Sequence, residues 1–311
     1  MRDMTRNIRY FVTIIVLIFV GDMIVENGLK SNKNIKVSYV SQGGVDADIL
    51  FHGPCEVIWT IDPDIVSEVT GKKVYNLSEV HTDFADNYLS LYQYLKNNKK
   101  PEKLLLFVTP ESMDERFNTF YSHYYAPFAK DSVLASVISE MDTTYSYLLN
   151  VPLLRYTYHN RVTLFSAFQG IKHDLTNKKE PYFANGYVPP KEMVWDNHYE
   201  ELYKLYPNGV EFEWSEMREK YLKKIIELCA QDEIELILYE SPILKESTKH
   251  QYNRIETLNR IKRLAENHSI EYWIYENDSL CMDKVNFFSA LNLNMEAGKV
   301  FSRKIGARVS R

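Results

Sequence analysis

The sequence ILFHGPCEVIWTIDP, residues 49–63, is typical of a buried strand that runs into a tight turn and then into helix. Residues 49–51 are apolar, Gly53-Pro54 sets the turn, and Asp62-Pro63 starts a helix. Strand–turn–helix units are where many α/β enzymes place a nucleophile, and the residue at this turn is Cys55. Cys55 is therefore either a catalytic residue or the remnant of one.

The alternation of strand and helix continues along the chain. Short apolar runs predict strands, and amphipathic stretches between them predict helices. A parallel sheet covered on both faces carries strands that are apolar throughout. We therefore expect an α/β fold, a three-layer doubly wound parallel sheet of the flavodoxin type, with active-site residues at the carboxyl ends of its strands. The predicted strands are 49–51, 73–75, 104–108, 235–239 and 271–274, and the predicted helices are 62–69, 83–96, 216–229 and 254–266.

Residues 111–214 interrupt this alternation and are rich in tyrosine and phenylalanine. We interpret them as a mostly helical insertion that lies over the strand ends as a cap. The aromatic clusters are most simply the insertion's own core. A sugar-stacking surface and a partner interface are the two alternatives.

The N-terminal segment predicts a membrane anchor. Arg2, Arg6 and Arg9 precede YFVTIIVLIFVG, residues 10–21. A helix over 10–25 is roughly 24 Å long, short of the ~30 Å hydrocarbon core, so it spans only if Arg9 snorkels and Asp22 lies near the far interface. A cleaved signal peptide is an alternative, although no alanine precedes Ala47 to form a cleavage site. A buried N-terminal helix is a weaker alternative to the membrane anchor.

The excess of arginine before the apolar run predicts that the N-terminus is cytoplasmic. The predicted organisation is a cytoplasmic tail over 1–9, a single-pass anchor over 10–25, a polar tether over 26–46 and the α/β domain over 47–311. The bulk of the chain is then expected on the extracytoplasmic side of the cytoplasmic membrane.

Composition argues against several other classes of function. The net charge of the 311-residue chain is -5 and the pI is near 6.0, so nucleic acid is not an expected partner. The three cysteines lack CxxC spacing, the histidines lack metal-ligand spacing, and no glycine-rich phosphate loop occurs. We expect no metal site and no cofactor. Cys229 lies on an apolar helical face and is interpreted as a core residue.

Two segments resemble a known family. ADILFHGPCEVIWTIDPDIVSEVTGKKVYNL, residues 47–77, resembles the first block of the SGNH (GDSL-like) hydrolases, in a membrane-anchored bacterial branch that reads Gly-Ser-Ser, then IDP and VYNL. YENDSLCMDKVNFFSALNLNMEAGKVFSRKI, residues 275–305, is similar to the closing block of that branch, in which Asp-x-x-His-Leu-Asn precedes a glycine and a helix. The resemblance covers about two thirds of the chain and implies an SGNH fold.

The resemblance also shows substitutions at the catalytic positions. The family's serine nucleophile corresponds to Cys55, its acid to Ser289 and its general base to Asn292. Asparagine accepts no proton at neutral pH. A thiol needs a base less than a hydroxyl does, but Glu56 would raise the pKa of Cys55 if the two side chains were close. The expected pocket rim comprises Gly53, Glu56, Ser78, Glu79, Thr109 and Glu240.

Three functional hypotheses follow. The favoured one is a catalytically degenerate SGNH-like protein that acts as a binding or accessory partner in the acylation of cell-envelope glycans. The resemblance implies an envelope polysaccharide and a membrane-bound O-acyltransferase-type protein as partners. An active acyl esterase or acetyltransferase would instead use Cys55 with His81 as a relocated base, unless His81 is merely an exposed residue before the N-cap at Thr82 or Asp83. The third hypothesis is a structural partner of an integral membrane protein.

Overall fold

The computed structural model describes residues 2–116, 120–157, 162–178, 181, 183, 185–190, 195 and 198–311. The chain divides into two compact units. Met1–Gly44 and Phe120–Tyr182 form the first, called here the helical unit, and Val45–Thr119 and Phe183–Arg311 form the second, called here the sheet unit.

The helices and strands follow one another in an α/β order. The strands are β1 (Ile49–His52), β2 (Val74–Asn76), β3 (Lys103–Phe107), β4 (Glu235–Glu240), β5 (Glu271–Ile274), β6 (Phe287–Ser289) and β7 (Asn292–Leu293). The α-helices are α1 (Arg2–Ser31), α2 (Lys36–Ser41), α3 (Cys55–Thr60), α4 (Pro63–Thr70), α5 (Phe84–Asn97), α6 (Ser122–Tyr125), α7 (Ser132–Met141), α8 (Thr143–Ser146), α9 (Leu154–Thr157), α10 (Val162–Leu175), α11 (His198–Leu205), α12 (Glu216–Gln231), α13 (Arg254–Asn267) and α14 (Met295–Val309). Short 3-10 turns occur at Glu111–Met113, Ala126–Phe128, Ser247–His250, Ser279–Met282 and Lys284–Asn286.

The sheet unit contains a five-stranded parallel sheet in the order β2-β1-β3-β4-β5. This is the doubly wound order of flavodoxin-like folds, so the predicted fold class is confirmed. All five predicted strands are present within one residue of their predicted bounds. The agreement has a physical cause, since β1 to β4 are buried along nearly their whole length and are mostly apolar, whereas β5 is partly exposed.

Helices cover both faces of this sheet. On one face, alternate residues of the strands pack with α4 and α14 through side chains such as Val66 and Phe301. Residues that point the other way, among them Leu50 and Leu106, are equally buried. Helices α5 and α12 pack against each other, as do α4 and α14. The result is the expected three-layer arrangement, with every strand's carboxyl end at the same edge of the sheet.

The helical unit begins with α1, which is longer than the predicted anchor. The candidate membrane span Met4–Ser31 has a mean hydropathy of 2.2 and is long and apolar enough to cross a membrane. Its large apolar side chains up to Val20 are exposed. From Gly21 onward, α1 packs against other helices of this unit.

The structure corrects the predicted tether over residues 26–46. Helix α1 continues to Ser31 and α2 follows, and both contribute buried side chains. Leu29, Val37 and Val40 are in the core, and the Asn32 amide donates to the Ser166 carbonyl at 2.8 Å. The composition of this segment is polar, but its few apolar residues recur at helical spacing. Asn32 takes part in the packing through its hydrogen bond to Ser166.

The described part of the predicted insertion, 111–214, contains the helices α6 to α11 joined by turns and loops. Within the described residues of this segment, helices and turns alternate without a named strand. Its residues 120–182 belong to the same unit as α1, whereas residues 183–214 belong to the sheet unit. Whether any part covers the strand ends stays a prediction.

Two glycines allow α1 and α10 to come into backbone contact. An ideal Cβ on Gly170 of α10 would overlap the backbone oxygen of Gly28 of α1, and one on Gly28 would overlap the backbone oxygen of Ala167. Any larger residue at either position forces the helices apart. This contact joins the anchor to the rest of the helical unit.

We expect Gly170→Ala to loosen α10 by about 1–3 kcal/mol, because the added methyl overlaps backbone that cannot move aside. Amide hydrogen exchange in α10 should then accelerate by roughly ten- to a hundredfold in the detergent-solubilised full chain. Gly306→Ala is the matched control, since Gly306 is also buried and helical but its added methyl comes no closer than 3.3 Å to the Val69 side chain and 3.5 Å to the Val66 Cα. Unchanged α10 exchange in Gly170→Ala would contradict the packing argument.

Candidate functional site

The turn after β1 requires glycine at position 53. Gly53 has φ +154°, and an ideal Cβ there would lie 2.7 Å from the Phe107 Cβ and 2.8 Å from the Val57 Cγ2. Pro54 follows as the N-cap residue, and α3 begins at Cys55. The strand–turn–helix unit predicted from the sequence is therefore present, with the cysteine at the first helical position.

The Cys55 thiol is hydrogen-bonded to the neighbouring carboxylate. Its Sγ donates to the Glu56 Oε2 at 3.3 Å, and both side chains are half-buried. Burial raises the pKa of the Cys55 thiol well above its usual range, and the negative charge of Glu56 raises it further. Burial also raises the pKa of Glu56, as does the nearby charge of Glu111. The thiol is accordingly protonated at neutral pH, as the proximity of Glu56 in sequence predicted.

His81 approaches Cys55 through its backbone. The backbone N–H of His81 and that of Cys55 hydrogen-bond to the sulfur and favour the thiolate, but their effect on its pKa is smaller than that of burial and Glu56. His81 has φ +55°, a left-handed conformation, and its side chain is exposed. His81 therefore contacts Cys55 through its backbone N–H and not through the predicted thiol–imidazole pair.

His52, the histidine nearest to Cys55 in sequence, is engaged elsewhere. Its Nδ1 accepts from the Gly53 backbone N–H at 2.9 Å, and its Nε2 lies 2.6 Å from the Ser90 Oγ and 3.1 Å from the Asn87 carbonyl. The buried ring therefore connects the end of β1 to α5. With both nitrogens in use, it is not available to take a proton from the sulfur.

The loop after β2 packs on the turn after β1 and forms part of the predicted rim. The Gly53 carbonyl accepts from the Glu79 N–H at 3.2 Å and from the Thr82 hydroxyl at 3.3 Å. Ser78 is buried, and its N–H donates to the Asn76 Oδ1 at 3.1 Å. These bonds bring the residues 78–82 close to Cys55. Asp83 is the N-cap residue of α5.

Thr109 follows β3 at the same edge of the sheet. It is buried, and its N–H donates to the Ser112 Oγ at 2.9 Å while its carbonyl accepts from the Ser112 hydroxyl at 2.8 Å. This closed turn uses the polar groups of Thr109 locally. Thr109 thus shapes the loop after β3, and its place in a pocket rim stays a prediction.

Ser289 and Asn292, which the sequence resemblance predicts at the acid and base positions, lie on the β6–β7 hairpin. The Asn292 Nδ2 donates to the Ser289 Oγ at 2.8 Å, and the Asn292 Oδ1 is buried without a hydrogen-bond partner among the described residues. Strand β7 packs against α3, and Trp59 of α3 contacts Phe288 with ring centroids 5.8 Å apart. The hairpin is thus held beside the helix of Cys55, but an amide bonded to a hydroxyl cannot relay a proton at neutral pH.

Glu240, at the end of β4, belongs to a buried charged network. Its Oε1 accepts from the Arg254 guanidinium at 2.6 Å, and Arg254 also donates to the Gln251 Oε1 at 2.9 Å. Gln251 in turn donates to the Glu111 carboxylate. The pKa of Glu240 is raised to about 7, chiefly by burial, while Arg254 lowers this pKa and the charges of Glu111 and Glu276 raise it.

Sequence reasoning anticipated Glu240 but missed its partners. Arg254 lies at the start of α13, and Glu111 lies in the loop after β3. The negative charge of Glu111 raises the pKa of Glu56 and the pKa of Glu240, so the two carboxyl groups at this edge share one electrostatic neighbour. The sequence feature that could have identified Glu111 as a residue of this edge was its position just after a predicted strand. Nothing in the sequence marks Arg254 as buried.

Other features of the described residues do not add a site at this edge. Among these residues, no group of three His, Cys, Asp or Glu side chains could hold a metal ion. A shallow depression of about 550 Å³ lies on the surface of α13 and contains none of the predicted site residues. It is lined by Glu211, Tyr252, Asn253, Ile255, Glu256, Asn259 and Arg263.

Comparison with known proteins finds distant likeness to solved structures. No model of a known protein family matches the chain, and no curated protein matches it. A solved structure from Desulfitobacterium hafniense DCB-2, assigned to the G-D-S-L family of lipolytic proteins, is similar at 12% sequence identity and a TM-score of 0.41. The match covers 83% of this chain and 98% of that chain. This likeness is too distant to carry an argument about the site.

The raised pKa of Glu240 predicts a specific pH dependence of stability. Between its ordinary pKa of 4.5 and about 7, the folded state binds more protons than the unfolded state, so the free energy of unfolding falls as pH rises through this window. The full contribution is present below about pH 4.5, and the loss by pH 7 amounts to roughly 3 kcal/mol. Glu240→Gln should remove this slope. Urea unfolding at pH 5 and pH 7, followed by the fluorescence of the buried Trp273, measures it.

Glu102→Gln provides the control, because Glu102 is half-exposed and pairs with Lys72 at the surface. The variant should keep the wild-type difference between the two pH values. An equal difference in wild type and Glu240→Gln would show that the buried carboxyl does not titrate in this range.

Proposed function

We propose that this chain is a membrane-anchored, extracytoplasmic SGNH-hydrolase-like protein that is catalytically degenerate at Cys55. We further propose that it acts as a binding or accessory partner in the acylation of cell-envelope glycans. The order of its resembling segments and the strand order of its sheet support the SGNH relationship. The observation that carries the loss of catalysis is the hydrogen bond from the Cys55 thiol to Glu56.

Acyl transfer through a thiol requires a base to take its proton and a group to orient that base. Here Glu56 accepts the thiol's hydrogen bond, but its charge raises the pKa of the sulfur rather than lowering it. The positions of the family's acid and base carry Ser289 and Asn292, which bond to each other. The site therefore keeps the nucleophile's position in the fold without the means to ionise it.

The alternative of an active cysteine-dependent esterase or acetyltransferase is less well supported. It needs the imidazole of His81 at the sulfur, whereas the backbone of His81 occupies that place and its side chain is exposed. The loop after β2 would have to rearrange. That loop is bonded to the Gly53 carbonyl by Glu79 and Thr82, which opposes such a change.

The proposed location rests on α1 and its flanking charges. Arg6 and Arg9 lie at its N-terminal side, and exposed apolar residues follow up to Val20. A single-pass anchor with a cytoplasmic N-terminus is the arrangement we propose. The partners, an envelope polysaccharide and a membrane-bound O-acyltransferase-type protein, come from the resemblance. A purely structural partner of an integral membrane protein would share the same anchor.

Alkylation of Cys55 tests the proposed loss of catalysis. In full-length protein carrying Cys229→Ala and Cys281→Ala, iodoacetamide at pH 7 should label Cys55 at least about tenfold more slowly than a free cysteine, since each unit of raised pKa lowers the thiolate fraction tenfold. Glu56→Gln should accelerate labelling, because it removes a charge next to the sulfur. Release of acetate from activated esters should be the same with and without Cys55→Ala.

Glu79→Gln is the matched control, because the Glu79 carboxylate lies on the same rim but accepts from the Val80 N–H. It should leave the labelling rate unchanged. Rapid labelling of the wild-type thiol, together with ester cleavage that Cys55→Ala abolishes, would instead establish the cysteine-dependent enzyme.

A further inference from the structure

Helix α10 carries an exposed apolar surface next to the proposed anchor. We propose that this surface lies in the outer interface of the lipid bilayer, beside the last turns of α1, as a second membrane contact. The surface, called here the apolar collar, consists of Val162, Leu164, Phe165 and Phe168 of α10 together with Leu154 of α9. The inference rests on the proposed anchoring through α1 and adds to it.

The first step concerns the length of the anchor. Residues 10–21 form the uncharged run of α1, and a ~30 Å hydrocarbon core needs about 20 helical residues. Counted from Tyr10, such a span reaches the level of Leu29. The outer part of the bilayer must then accommodate the level of Asp22 and Glu26, or become thinner there.

Within the helical unit, the acidic groups at that level are neutralised. Arg155 donates to Asp22 and, at 3.2 Å, to Glu26, which also accepts from Lys30 at 2.7 Å and from Lys130 at 3.0 Å. Asp22 is 6% exposed and Glu26 is 5% exposed. Charges that are paired and covered in this way are compatible with the membrane interface, where isolated carboxylates are costly.

The second step concerns α10 itself. One face of this helix, with Thr163, Ala167 and Gly170, is buried. Away from that face, Phe165 is 59% exposed and Phe168 is 63% exposed. Large aromatic side chains grouped on one helix and left in water are unfavourable, and such groups commonly mark a protein or membrane contact.

The third step sets the direction of α10. Three contacts advance together along α1 and this region: Leu153 lies next to Gly21, Ala167 next to Gly28, and, just beyond α1, the Lys33 N–H donates to His173 at 3.3 Å, although the Asn32 side chain also reaches back to the Ser166 carbonyl at 2.8 Å. Helix α10 therefore runs parallel to the end of α1. Its N-terminal end lies nearest the membrane, and its C-terminal end is farther away.

Lipid is the occupant that these observations favour. The apolar collar lies at the level along α1 where Met23 and Ile24 are themselves exposed, at 60% and 52%, so both helices present apolar side chains at that level. An interfacial helix buries an apolar face about 5–10 Å into the headgroup–acyl boundary. Helix α10 then supplies apolar surface at the depth in the bilayer that the uncharged run of α1, residues 10–21, is too short to reach.

Nitroxide labels on the full-length chain test this inference. Cysteines are introduced one at a time at Leu154, Phe165 and Leu175 in a variant whose three native cysteines are alanine, and each protein is reconstituted into phosphatidylcholine vesicles. Labels at 154 and 165 should collide more with oxygen than with an aqueous nickel chelate. The label at Leu175 is the matched control on the same helix, and it should be aqueous, since it lies about 15 Å farther along the helix axis than 165.

A further label at Val16, in the exposed apolar part of α1, separates the inference from the anchoring on which it rests. Lipid contact at Val16 with an aqueous label at 165 would overturn the inference and leave the anchor intact. An aqueous label at Val16 would overturn both. Protection of the 165 label from oxygen and from nickel alike would show that protein, such as a second copy, covers the collar, and this too would overturn it.

Discussion

The Cys55 proton is held in place by the adjacent carboxylate of Glu56, and the chemistry open to this protein depends on that hydrogen bond. Placing a nucleophile at the N-terminus of a helix normally favours its anionic form, because backbone N–H groups point toward it. Here two N–H groups do reach the sulfur, from Cys55 and His81. Burial and one nearby negative charge outweigh them. The fold therefore preserves the position of a nucleophile while its surroundings keep the thiol neutral.

The same acidic character extends along the strand ends. Glu111 acts on Glu56 at one side and on Glu240 at the other, with Arg254 as the cation bonded to Glu240. An oxyanion formed in acyl transfer requires donors and positive potential at this edge. An edge that is rich in carboxyl groups opposes such an intermediate, even where backbone N–H groups are available. Burial and Glu56 disfavour the Cys55 thiolate, and the carboxyl groups along this edge disfavour an oxyanion there.

How far the sequence predicts this structure varies from region to region. The central sheet was predictable because strands buried on both faces leave continuous apolar runs, and the turn at Gly53 was predictable because only glycine fits there. The effect of Glu56 on Cys55 followed from their adjacency. The buried pair of Glu240 and Arg254 was not predictable, because it joins a strand end to a helix start that no local pattern connects.

Residues 26–46, which follow the apolar run of α1, show that a polar composition does not by itself predict a flexible segment. A flexible tether would not pack against other helices. Here, however, Gly28 and Gly170 bring the backbones of α1 and α10 into direct contact. A glycine pair of this kind is useful only if the two helices keep one register, since any slip places a larger side chain at the crossing. Helix α1 is therefore continuous with the helical unit rather than loosely joined to it. Under the proposed anchoring through α1, a partner in the same membrane would meet this unit at a height and an orientation set by that helix.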